Sequence, residues 1–142
     1  MRNTYDDNNI FAKLLRREVA AARVYEDEDT VAVMDVMPQG PGHTLVIPRR
    51  ASRNLLDADP NTLALLVQVV QKVAKAVKKA FSADGITLMQ FNERAGGQTI
   101  YHLHFHIIPR FIGVALKSHI TQKTDMAELE KAAKKIRQAL NE

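Results

Sequence analysis

The 142-residue chain contains no cysteine and no tryptophan, only six glycines and five prolines, and 6% aromatic residues. The lack of cysteine excludes disulfides, thiolate nucleophiles and cysteine-held zinc, so any metal must be held by histidine, carboxylate or carbonyl groups. No run approaches the ~20 apolar residues that span a bilayer. The opening MRNTYDDNNIFAKLLRREV is too charged to hold a secretory apolar segment, so the expected compartment is the cytoplasm, with no membrane partner. No repeat, low-complexity tract or Gly/Ser linker interrupts the chain, and a single domain over residues 1–142 is expected.

What is present suits a packed globular enzyme or binding module: 46% hydrophobic and 25% charged residues. The net charge is +4, but much of the surplus lies in QKVAKAVKK and ELEKAAKKIRQAL, where lysine follows helical spacing as on a solvated face. This predicts mild attraction for anionic ligands and no nucleic-acid partner.

Periodicity predicts an α+β fold. NNIFAKLLRRE places Ile10, Phe11, Leu14 and Leu15 on one side of a short helix behind an asparagine cap. ARVYED and DTVAVMDV read as a hairpin, and the loop MPQGPGHT leads through His43 into a strand TLVIP. A long helix is expected from Pro60 to about Phe81, with Asp59 as cap, a stripe of Leu63, Leu66, Val67, Val70, Ala74, Val77 and Phe81, and Gly85 as its stop. GITLMQFN, a loop ERAGGQT and a histidine-bearing strand follow. Asp125 and Glu128 then announce a capping box before a Leu129, Ala133, Ile136, Leu140 stripe. The order implies a largely antiparallel sheet of about five strands carrying a long helix and a C-terminal helix.

The histidines give the chemistry. Three of five fall in HLHFHIIPR, at 102, 104 and 106, so on a pleated strand they share one face while Leu103, Phe105 and Ile107 share the other. Neighbouring rings then stand ~6.6 Å apart along the strand, and His104 alone has a histidine on each side. His119 stands apart from these and reads as structural. A triple alternation suits either a metal site or phosphoryl transfer, in which one imidazole attacks phosphorus and its neighbours bind oxygens or protonate the leaving group. Mutual repulsion favours a neutral nucleophile beside a protonated donor. No carboxylate lies between Gln98 and Asp125 to complete a metal shell, whereas GGQT directly upstream offers Gly96 and Gly97 amides plus Gln98 and Thr99 as an anion cradle.

HLHFHII resembles, at every position, the His-φ-His-φ-His-φ-φ motif of the histidine triad (HIT) family of nucleotide hydrolases and transferases, φ being apolar. The resemblance runs through NIFAKLLRREV, VYEDEDTVAVMDVMPQGPGHTLVIP and GGQTIYHLHFHIIPR, over a core of about residues 8–110, and only loosely into the tail 111–142. It implies a HIT-like fold, a homodimer with a continuous sheet, and hydrolysis at the α-phosphate of a purine nucleotide conjugate of AMP or GMP, a phosphoramidate or dinucleoside polyphosphate, without a cofactor. In that scheme His104 is the nucleophile that becomes nucleotidylated, His106 bonds the phosphate or leaving group, His102 orients the nucleophile through its carbonyl or ring, and His43 approaches the triad. Asp35 would hold the ribose, Asn92, Gly97, Gln98 and Thr99 would lie on the phosphate side, and Ile10, Phe11, Leu14 and Val33 would line the base pocket. The Cys-x-x-Cys zinc site of many bacterial relatives is replaced by NNIFAK, with RRASRN at the later position, so no metal is expected. The other readings are a nucleotidyl transferase, although that branch carries glutamine at the place of His106, a metal-binding histidine cluster, and a nucleotide-binding regulatory protein with vestigial catalysis.

Overall fold

The computed structural model describes residues 5–117 and 123–142, and His119 falls outside them. Helix α1 (Ile10–Leu15) starts where the Asn9 side chain accepts the Ala12 amide at 2.9 Å, satisfying one of the donors a helix start leaves open. Strands β1 (Arg23–Glu26) and β2 (Thr30–Met34) form the expected hairpin, its turn held by Asp27 Oδ1, which accepts the amides of Asp29 and Thr30. After β3 (Thr44–Pro48), helix α2 (Pro60–Ala80) opens on Asp59, whose carboxylate accepts the Asn61 amide at 2.8 Å, with Pro60 in the first turn. Then come β4 (Gly85–Met89), β5 (Phe105–Arg110) and α3 (Met126–Leu140). All strand pairs are antiparallel, in the order β1-β2-β3-β5-β4.

The sheet buries two apolar layers. One face packs Ala32, Met34, Val46, Leu103 and Ile107 against Leu66, Val70, Val73 and Val77 of α2 and Leu129, Ala133 and Ile136 of α3. The other packs Val31, Val33, Leu45 and Ile47 against Phe11 and Leu14 of α1. Among the described residues no helix is long and apolar enough to cross a membrane.

Several expectations need correction. The buried face of α2 is Leu66, Val69, Val70, Val73, Ala76 and Val77, while Val67 is 53% exposed. Leu63, Ala74 and Phe81 of the expected stripe pack partly buried against the same apolar layer, and the face is wider than expected because α2 meets the sheet and α3 together. Gly85 does not stop α2: Ser82 turns left-handed at φ 50° and Gly85 opens β4. Asp125 precedes α3 without a side-chain cap bond, so no capping box forms. The histidine strand starts only at Phe105. Upstream of it the carbonyl of His102 accepts from the His104 ring and the amide of Leu103 donates to Ser52, so this backbone serves the site and a neighbouring loop instead of a ladder. Pro109 sits past the end of the β3 pairing, opposite Ile86 of β4, where a strand with one neighbour tolerates a missing N–H.

Candidate active site

Strand register assembles the site. Asp35 extends β2 by donating its amide to the His43 carbonyl at 2.9 Å, and His106 lies opposite Leu45, two residues beyond His43 on β3. Paired residues share a face, so Asp35, His43 and His106 meet on the α1 side of the sheet. His104 joins them, with its ring centroid 5.0 Å from that of His106 and 4.7 Å from that of Phe11.

The hydrogen-bond network assigns the tautomers. A carbonyl only accepts, so His104 Nδ1, 2.7 Å from the His102 carbonyl, carries the proton and leaves the Nε2 lone pair without a partner among the described residues. The Gln39 amide donates to His43 Nδ1 at 3.0 Å, which puts the His43 proton on Nε2. That N–H donates to His106 Nδ1 at 2.8 Å and also faces Asp35 Oδ2 at 3.3 Å. His106 therefore presents Nε2–H. His102, fully buried, gives its Nε2–H to the Pro48 carbonyl at 2.8 Å and accepts the Tyr5 hydroxyl on Nδ1 at 2.5 Å.

Burial, chiefly, holds all four rings neutral. It lowers His43 and His104 to about 4 and His106 to about 3, with neighbouring imidazoles adding to the effect, and it lowers His102 in the same direction. The expected protonated donor is thus a correction: burial leaves His106 offering a neutral N–H.

The HIT domain family model matches residues 16–113. This chain belongs to the HIT family. An uncharacterized HIT-like protein of Methanocaldococcus jannaschii is 38% identical over 104 residues, 73% of this chain and 80% of that protein. Adenylylsulfatase HINT3 of Arabidopsis thaliana is 33% identical over 108 residues, 76% of this chain and 55% of that protein. A crystal structure of a HIT-like protein involved in cell-cycle regulation from Bartonella henselae, with an unknown ligand, is 63% identical, superimposes with a TM-score of 0.90 and covers 96% of this chain and 99% of its own.

The remaining residues expected in the site of this HIT domain divide into those at the triad and those beneath it. Phe11, Leu14 and Val33 are buried in the α1-side core, with the Phe11 ring edge-on to His104, and Ile10 is 45% exposed. Gln98 is not free to donate to an anion: its Nε2 binds the carbonyls of Arg53 and Ile100, and its Oε1 accepts from Asn54 and from the Glu93 amide. The glycine amides are spent as well, Gly96 on the Glu93 carbonyl and Gly97 on the Arg94 carbonyl, both at 3.0 Å, because the loop winds into a 3-10 turn (Arg94–Gly96). The expected Gly96–Gly97 cradle is therefore absent. Asn92 exchanges hydrogen bonds with the Gln90 side chain and accepts the Leu55 amide. Thr99 is exposed, and neither its amide nor its hydroxyl is bonded among the described residues. Gly97 keeps a positional reason of its own: its φ is +98°, and a Cβ would come within 3.2 Å of Phe91, whose ring packs on His106.

Among the described residues, Asp35, His43 and His106 offer ligand atoms within 4.8 Å of one another. The His43 and His106 nitrogens point at each other in a hydrogen bond, so a shared ion requires that bond to open. Sequence reasoning missed three participants. Gln39 acts through its backbone, Phe91 lies in what reads as an ordinary strand end, and Tyr5 is 97 positions from the ring it touches.

Proposed function

We propose that the protein is a HIT-type hydrolase that cleaves purine nucleotide conjugates of AMP or GMP, nucleoside phosphoramidates or dinucleoside polyphosphates, at the α-phosphate. The supporting observation is the pairing of an unengaged His104 Nε2 lone pair with the His106 Nε2–H on a ring 5.0 Å away. As the anionic substrate binds, the His43–His106 pair beside Asp35 takes up one proton from solvent; His104 Nε2 then attacks phosphorus, the bond to the leaving group breaks, and His106 Nε2 gives its proton to the departing nitrogen or oxygen, which returns the pair to neutrality. Water then attacks the nucleotidyl-histidine, returns a proton to His106 and releases the nucleoside monophosphate. Neutral rings fit this sequence: a neutral His104 is a nucleophile at ordinary pH, and an incoming phosphate anion raises the proton affinity of His106 where a donor is needed.

Asp35 Oδ1 accepts the Met37 amide, and Oδ2 lies beside the His43–His106 pair, a placement that suits accepting ribose hydroxyls next to the reacting phosphate. The exposed amide and hydroxyl of Thr99 serve the phosphate in place of the glycine amides. The whole chain is read as one HIT domain acting as a cytoplasmic homodimer without a cofactor. The name of the Arabidopsis relative adds adenylyl sulfate to the substrates worth assaying.

His104→Ala is expected to lower single-turnover hydrolysis of adenosine 5′-phosphoramidate by roughly three orders of magnitude or more while AMP binding, followed by calorimetry, persists. A variant that keeps near wild-type rates overturns the assignment. Diadenosine polyphosphates, adenylylated lysine and adenylyl sulfate run in parallel identify the leaving group.

A further inference from the structure

Tyr5 lies outside the stretch matched by the HIT domain and outside every motif the sequence offers. Its hydroxyl is 2.5 Å from His102 Nδ1, and the two rings meet edge-on with centroids 5.5 Å apart. The opposite nitrogen of that imidazole is committed, because Nε2 lies 2.8 Å from the Pro48 carbonyl and must donate to it. Nδ1 is consequently an acceptor inside the protein, and His102 is fully buried. Among the described residues the phenol is the donor that reaches it.

The backbone of His102 does a second task. Its carbonyl receives the His104 Nδ1 proton at 2.7 Å, the bond that leaves His104 Nε2 bare. This carbonyl lies before the start of β5 and has no strand ladder to hold it. Its peptide group is held from two sides, by the Leu103 amide donating to the Ser52 carbonyl at 3.0 Å and by the His102 ring, clamped between the end of β3 and the segment that precedes α1.

We propose that Tyr5 is a positioning residue for the triad: its hydroxyl locks the His102 ring, and the His102 carbonyl in turn aims the His104 ring at substrate. The proposal rests on the reading of His104 as nucleophile, and it assigns a role in that site to the N-terminal segment. Removing the hydroxyl leaves a buried acceptor without its donor, so the ring loses its fixed rest position and the attached carbonyl keeps only the hold that the Leu103 amide provides through Ser52.

Tyr5→Phe tests this, because it keeps the aromatic edge contact and deletes the hydroxyl alone. In protein labelled with 15N-histidine, the His102 Nδ1 signal is expected to move from that of a hydrogen-bonded acceptor to that of a bare one, with Nε2 still protonated. Turnover of adenosine 5′-phosphoramidate is expected to fall about tenfold in kcat with KM unchanged, the size one hydrogen bond supports. Tyr5→Ala is expected to fall to the same level. An unmoved Nδ1 signal, or an unchanged kcat, in Tyr5→Phe overturns the proposal, as does a rise in KM at constant kcat. If the wild-type protein turns over no nucleotide conjugate, the reaction assignment fails separately, and the nitrogen signal alone then decides whether Tyr5 holds the ring.

Discussion

Gln98 shows how a residue can belong to a motif and serve it from beneath. Its four hydrogen bonds tie the Arg53–Asn54 segment to the loop that carries Glu93, a residue held at φ 66° with its carboxylate on Arg53 and Asn54. Gln98→Ala strands these partners and is expected to cost about 2 kcal/mol of stability in urea denaturation, while calorimetric affinity for AMP changes less than threefold, or about 0.6 kcal/mol. A large affinity loss at unchanged stability would restore the direct phosphate contact. The sequence made the histidine spacing legible because strand periodicity is local. It did not reveal that Gly96 and Gly97 spend their amides on the turn, because GGQT reads alike whether its N–H groups face an anion or fold back on Glu93 and Arg94. The charge state of His106 was equally hidden: spacing suggests repulsion, but burial is the larger cause of its lowered pKa.

At the scale of elements, the capped starts of α1 and α2 were legible, and the capping box expected at α3 does not form. Asn9 and Asp59 cap α1 and α2 as expected, since a cap depends on residues two or three positions away. The added breadth of the α2 face, Val69, Val73 and Ala76, depends on α3 as well as the sheet, and no window of the sequence displays that docking. That docking matters, because α3 lies beyond the end of the family match yet buries Leu129, Ala133 and Ile136, and Arg137 donates to the Arg23 carbonyl at 2.7 Å. Ile136→Ala, at 0% exposure, is expected to lower unfolding free energy by about 3 kcal/mol in a urea titration, as at other buried aliphatic sites. A loss below about 1 kcal/mol would mean that α3 is an appendage.

For the whole molecule, folding imposes a collective demand on the histidines. The folded protein holds His43 and His104 down to about 4 and His106 to about 3, whereas the unfolded chain takes up protons near 6.5. Between these values the unfolded state binds more protons, so stability falls as pH drops from 6.5 towards 4. The carboxylates of Glu26 and Glu93, lowered by their arginine partners, add their loss only in stronger acid, below the ordinary carboxylate pKa. Denaturation midpoints are expected to be lower at pH 5 than at pH 7, and the difference is expected to shrink in His106→Asn. A midpoint independent of pH across that window would show that the rings titrate normally. The two margins of the sheet also differ. Along β1 the Arg23 carbonyl is occupied by Arg137, whereas the outer side of β4, with Leu88 48% exposed, pairs with no strand among the described residues. Were a second copy to lay its own β4 along this margin across a two-fold axis, both unpaired margins would be covered at once and neither would be left as a template for further strands.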